Sequence, residues 1–227
     1  MANGVAGEGW IGLIGGLGVG STIYYYERLT RAFAAQGRPA RLLIAHADMN
    51  HVLEAARKGD RAGMAEYLAA LIGRLKNAGA DLAAVPAVMP HMCIHELKER
   101  SPLPLMDLIE VIRAELQARE LRRVALFGAR YVVESGMFGQ LQGIELVTPT
   151  AEEIGIIHDT YFQIAGSGTS NKAQYETLRN LAHALLDRGA EAIVLAGTDL
   201  SLVFNEANLD FPYVDCAQLH VHALTAA

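Results

Sequence analysis

Short apolar runs alternate with longer stretches of helical period along the whole chain. Residues 10–14 are continuously apolar and stop at Gly15-Gly16, the pattern of a buried strand entering a tight turn. From 21 to 35, Ile23, Tyr26, Leu29, Thr30 and Phe33 recur at helical spacing. A strand is predicted at 41–47 and a long Ala-rich helix at 54–78. In that helix Met64, Leu68, Leu71, Ile72 and Leu75 form one stripe, and Gly79 supplies the stop. Strands at 82–85 and 103–106 flank a helix at 94–100, and helical period returns at 107–120. The pattern then starts again, with strands at 124–127 and 144–147, helices at 152–162 and 174–186, and strands at 193–195 and 213–214.

Strands separated by helices of this length imply βαβ units, hence an α/β protein with mostly parallel, Rossmann-like sheets. The second half also repeats the first. Ile11-Gly-Leu-Ile-Gly15 matches Val124-Ala-Leu-Phe-Gly128. The strand at 82–85 with its lead-in matches that at 192–195, and Leu103-Pro-Leu-Met-Asp107 matches Phe211-Pro-Tyr-Val-Asp215. Three matches in the same order indicate a duplicated unit. The expected domains are 1–105 with about 208–227, and 106–207. Ligands of open parallel sheets bind at the carboxyl ends of strands, so a cleft where the two halves meet is expected to hold the site.

Composition narrows the class. The chain has 227 residues, of which 52% are hydrophobic and 19% charged, too apolar and too weakly charged for disorder. A net charge of −6 without a basic run excludes a protein built to bind nucleic acid. Residues 1–9 are polar and Gly-rich, with no basic segment followed by a long apolar one. Every apolar run stops short of the ~18 residues of a membrane span. The two cysteines, Cys93 and Cys216, form neither a disulfide framework nor a zinc motif. A cytoplasmic globular protein is the expectation.

Chemistry-bearing residues cluster after the predicted strands. Gly15-Gly-Leu-Gly-Val-Gly-Ser-Thr22 leads into a helix. It lacks the Lys of a phosphate-binding P-loop and the glycine spacing of a dinucleotide fingerprint. Two readings stay open: Gly16, Ser21 and Thr22 cradle a small carboxylate, or they form a tight strand-to-helix turn with Ser21 as cap. Asp48, between His46 and His51, is either a polar anchor for substrate or a helix cap; the spacing fits no metal motif. His91 and His95 lie one helical turn apart, and His91, nearer the strand end, is the functional candidate. Cys93 and Cys216 read as small buried hydrophobes. In the second half Tyr131 and Glu134 follow one strand and Thr198 and Asp199 another, as substrate-facing groups or as caps.

Together these segments resemble the aspartate/glutamate racemase superfamily, with the closest likeness to its broad-specificity amino acid racemase branch. The Gly-rich run with Ser21-Thr-Ile-Tyr-Tyr-Tyr26 is similar to that branch's opening Gly-Gly-Met…Ser-Thr…Tyr-Tyr segment. Gly128-Ala-Arg-Tyr-Val-Val-Glu134 is similar to Gly-Thr-Arg-Tyr-Thr-Met-Glu, and the run from Gly189 to Asp199 to Gly-Ala…Gly-Cys-Thr-Glu. Asp215 and His220 fall on the tail pattern. The resemblance spans nearly the whole chain. It implies two similar α/β domains, an active site between them, no cofactor and no metal, a small carboxylate as ligand, and a homodimer.

The resemblance also implies two catalytic cysteines that this chain lacks. The first, in Pro-Cys-Asn-Thr-x-His, falls on Ala87 of Pro86-Ala-Val-Met-Pro-His91. The second, in Gly-Cys-Thr-Glu, falls on Gly197. Where the first motif reads Cys-Thr-Asn-Thr instead, the thiol falls on Pro86, with the same outcome. Val88 and Met89 replace polar substrate-holding residues and make the site more apolar. Losing one positioned acid/base group typically costs about 10²–10⁴-fold, and racemization needs one on each face. Three readings follow: a divergent isomerase or lyase using His91 and Asp199, a racemase with substituted acid/base groups, or a carboxylate-binding or regulatory protein without turnover.

Overall fold

The computed structural model describes residues 9–205 and 207–227. The segment read above as lacking a leader lies, up to residue 8, outside the described residues. The chain divides into two compact units, one running to Leu108 and completed by His220–Ala227, the other spanning Ile109–Leu219.

In the first unit, β1 (Ile11–Gly15) pairs in parallel with β2 (Leu42–His46) and with β3 (Leu82–Ala84), and β3 pairs with β4 (Leu105–Met106). The order is β2-β1-β3-β4. All five residues of β1 are buried, as a central parallel strand covered on both faces requires. Helices α1 (Val19–Ala35), α2 (Met49–Lys58), α3 (Arg61–Asn77) and α4 (Ile94–Arg100) belong to this unit. Its core includes Leu13, Ile14, Tyr25, Leu29, Phe33, Leu68 and Ile72. Each large apolar side chain buried there contributes roughly 1.5–3 kcal/mol.

The second unit repeats the arrangement. Strands β5 (Arg123–Phe127), β6 (Glu145–Leu146), β7 (Ala192–Leu195) and β8 (Tyr213–Asp215) are all parallel, in the order β6-β5-β7-β8. Helix α5 (Leu108–Ala118) leads into them, and α6 (Arg130–Glu134), α7 (Ala151–Ser167) and α8 (Lys172–Asp187) stand between them in the chain. The same strand order in both halves is the duplication read from the sequence. Phe127, Ile157, Ile164, Leu178, Leu185 and Ile193 form the core. The chain enters this unit within α5 and leaves it within α9 (Cys216–Ala226).

Four details depart from the sequence reading. The helix expected at 54–78 is two helices: Gly59 is left-handed (φ 65°), and the Asp60 side chain accepts from the Gly63 N–H to start α3. Helix α1 begins at Val19 with Gly18 as its cap, so Ser21 is not the capping residue. Its buried stripe is Ser21, Tyr25, Leu29 and Phe33, while Ile23 and Tyr26 face outward. The segment from about 208 does not return to the first unit at once, because Tyr213–Asp215 hydrogen-bonds to β7 and the return begins at His220.

Candidate functional site

The predicted residues fall into two sets, each at the carboxyl ends of one sheet. In the first unit, β1 runs through Gly16 (φ 85°) into α1. A β-carbon at Gly16 would meet the Ala47 carbonyl at 2.5 Å, so only glycine fits this turn. Thr22 ties the turn together: its hydroxyl accepts from the Gly16 N–H (3.0 Å) and donates to the Gly18 carbonyl (2.7 Å). The buried Ser21 hydroxyl donates to the same carbonyl at 3.1 Å. These bonds build the strand-to-helix turn.

Asp48 is exposed and caps α2, accepting from the Asn50 N–H at 2.9 Å. Its own N–H donates to the Tyr67 hydroxyl at 2.7 Å, and His51 stacks on the Tyr67 ring. Of the two readings of Asp48, the cap is the one visible in these contacts. Among the described residues no three His, Cys, Asp or Glu side chains cluster as a metal site.

After β3 the chain makes a tight turn, with the Ala87 N–H donating to the Val85 carbonyl at 2.8 Å. A 3₁₀ turn follows at Met89–Cys93. Ala87 and Val88 are buried. His91, 2% exposed, is held from both sides: Nδ1–H donates to the Ala87 carbonyl (2.9 Å) and Nε2 accepts from the Leu108 N–H (3.3 Å). Burial lowers its pKa below the ordinary histidine value, despite the opposing Asp107 charge, so the ring is neutral. The acid/base candidate of this half is therefore a neutral ring bonded to the main chain through both nitrogens.

The second unit presents the counterpart. After β7 the Ala196 N–H donates to the Val194 carbonyl at 2.8 Å, and a 3₁₀ turn spans Thr198–Leu202. Both tight turns thus precede 3₁₀ turns, and Val88 stands before the first as Gly197 stands before the second. The repeat that aligns 82–85 with 192–195 thus shifts by one residue past the strand, because the first segment carries one more residue before its turn. Thr198 and Asp199 are buried.

Asp199 takes a hydrogen bond from the hydroxyl of Tyr161 on α7. Burial, then the Asp199 charge, pushes the Tyr161 phenol far above its ordinary range. One turn earlier on α7, Nδ1 of His158 accepts from the Arg130 N–H at 3.1 Å. Burial and the Arg130 charge lower the His158 pKa. Arg130 also pairs at 3.4 Å with Glu134 across α6. Tyr131, half-exposed, lies against Phe138, with ring centroids 5.7 Å apart. Residues Gly136 to Gly139 are all left-handed, with φ of 58°, 53°, 62° and 68°. Met137 and Phe138 pay about 1–2 kcal/mol each in strain for that turn.

Sequence reasoning missed Tyr161 and His158. Both sit in a helix recognised from its period, and nothing local marks one aromatic or imidazole of an amphipathic helix as facing a strand end. Their spacing of three residues, which puts them on one face of α7, was the available signal.

A family model for Asp/Glu/hydantoin racemases matches residues 14–224. Among solved structures, a candidate Asp/Glu racemase from Yersinia pestis superposes with a TM-score of 0.81 at 23% identity, covering 96% of this chain and 98% of that one. An aspartate racemase homologue from Pyrococcus horikoshii gives 0.79 at 24%, covering 96% and 97%. The glutamate racemase of Francisella tularensis, solved with D-glutamate, gives 0.66 at 12%, covering 95% and 79%. At these identities the likeness establishes the fold.

Proposed function

The chain belongs to the Asp/Glu/hydantoin racemase family, and we propose that it is a cofactor-independent isomerase or lyase acting at the α-carbon of a small carboxylic acid without thiol chemistry. The state of its thiols carries this reading. Cys93 and Cys216 are fully buried. Burial pushes Cys93 up to about 12 and Cys216 well above the ordinary thiol value, so neither is a thiolate near neutral pH. The positions where the family resemblance puts thiols hold Ala87 and Gly197.

In this reading Asp199 is the acid/base residue and Thr198 a substrate contact. The first turn of α1, from Val19 to Ser21, supplies main-chain N–H groups for a carboxylate, while the Gly16 and Thr22 N–H groups are bonded within the turn and shape it. Val88 and Met89 in the first unit, and Tyr131 and Glu134 in the second, are the further substrate-facing candidates, each after a strand of its own unit, while Asp48 serves as the cap of α2. His91 joins the proton transfer only if the ring leaves Ala87 or Leu108. A homodimer belongs to the same reading, supported by the exposed Val19, Ile23 and Tyr26 along one side of α1.

Proton NMR in D₂O with both enantiomers of amino and hydroxy acids, and with aryl-substituted malonates, tests the proposal. Loss of an α-proton signal, isomerization or decarboxylation is expected for at least one acid and should vanish in Asp199→Asn. A panel in which no acid changes overturns the enzymatic reading. A second reading, a carboxylate-binding protein, is favoured by the absence of a functional group at both thiol positions. Its signature is a ligand that raises Tm and is recovered unchanged.

A further inference from the structure

The family resemblance puts its second thiol at Gly197, and a side chain from another helix occupies the space beside that residue. A β-carbon built on Gly197 would lie 2.9 Å from both Cδ2 and Cζ of Tyr161, and nearer still to Cε2. Side chains do not pack that closely against ring atoms, so no residue larger than glycine fits while the ring stays in place. The ring is fixed from several sides. Tyr161 emerges from the middle of α7, packs on the core that contains Leu200 and Phe204, and meets Phe162 edge-on at 5.5 Å. Its hydroxyl is bonded to the buried Asp199, two residues past Gly197.

We propose that Tyr161 is the positioning residue of the β7 strand end: its ring takes the volume of a side chain at 197, and its hydroxyl orients the Asp199 carboxylate. The role of Asp199 toward a substrate rests on the proposed function; the occupation of the space at Gly197 does not. The phenol does not replace the missing thiol as a base. Burial and the neighbouring carboxylate keep it as O–H at any working pH, so it acts as a fixed donor. This half thus presents a carboxylate braced by a phenol where the family presents a thiol. Glycine at 197 and tyrosine at 161 are then a matched pair: a side chain at 197 fits only where the ring at 161 is removed or moved.

Three variants of the full chain test this without a substrate. Gly197→Cys alone is expected to lower Tm by roughly 2–10 °C through overpacking. Gly197→Cys with Tyr161→Ala should melt higher than the sum of the two single changes predicts. Its new thiol should react with a disulfide reagent at least ~10-fold faster than the thiol of the single variant. The phenol supplies a spectroscopic readout. The near-ultraviolet absorbance difference between the wild type and Tyr161→Phe at neutral pH isolates this phenol, whose band, red-shifted by donation to a carboxylate, should move to shorter wavelength when the same difference is taken in Asp199→Asn. A Gly197→Cys protein with wild-type Tm and a thiol as reactive as in the double variant overturns the steric claim. A Tyr161 band unmoved by Asp199→Asn overturns the positioning claim. If neither cysteine variant folds, the phenol band decides alone. Failure of every acid to exchange in D₂O overturns the proposed function and leaves these readouts intact.

Discussion

The hydroxyl of Tyr25 donates to Nδ1 of His220 at 3.0 Å, and Nε2 of His220 donates to the Met106 carbonyl at 3.1 Å. This ring, fully buried, is therefore neutral with one defined tautomer. Burial and the nearby His91 lower its pKa to about 3, against 6.5 for a free histidine.

That depression makes folding pH-dependent. The unfolded chain takes up protons at 91 and 220 below about pH 6.5, and the folded chain does not, so stability is complete above that value and falls as pH drops. The His220 ring costs about 1.4 kcal/mol per pH unit in the window below 6.5, and His91 acts in the same direction. For His220 the fall continues down to its folded value of about 3. Carboxylate effects enter lower, near the ordinary 4.5 of Glu153 and Glu191. Urea unfolding from about pH 7 to about pH 5 should show the decline, and His220→Asn should flatten it. An unchanged slope in that variant refutes the assignment.

His91 separates a structural from a catalytic histidine. His91→Ala leaves the Ala87 carbonyl and the Leu108 N–H without their buried partner, each at a cost of about 1–3 kcal/mol. A Tm lowered by several degrees is expected. Any activity that survives in His91→Gln, with an unaltered pH–rate profile, identifies the ring as a brace; a lost limb in the profile identifies it as an acid/base group.

The thiols should be silent in the native protein. Neither Cys93 nor Cys216 is expected to react with iodoacetamide until the chain is unfolded, and both should react then. Cys93→Ala and Cys216→Ala should retain ligand binding and turnover. Rapid native labelling of either cysteine, read by mass spectrometry, contradicts the non-thiol reading.

The Gly-rich turn depends on Thr22. Thr22→Val keeps the shape and removes bonds to Gly16 and Gly18, and should cost about 1–3 kcal/mol, read as a lower Tm. Gly16→Ala should cost at least as much, since it adds left-handed strain to a clash with the Ala47 carbonyl. A carboxylate whose binding weakens in Gly16→Ala but not in a surface variant of equal stability would place its site at this turn.

What the sequence determined by itself was the local and the repeated. Apolar runs and helical stripes are set by near neighbours, so the strands, most helices and the duplication are legible in the chain alone. The break at Gly59-Asp60 was written there too, as a left-handed glycine before a capping aspartate, but the continuous Ala-rich stripe obscured it. The family resemblance likewise pointed to Ala87 and Gly197, which carry no functional group, as the thiol positions. Only the tertiary structure decided what stands beside them. Tyr161 reaches Gly197 from a separate helix, and Leu108 reaches His91 from beyond β4. These contacts follow from how helices dock on their sheets, a packing result that no local pattern encodes. The chemistry at each strand end is thus set jointly, by the residue the motif names and by a side chain or main-chain group that folding brings to it from far along the chain.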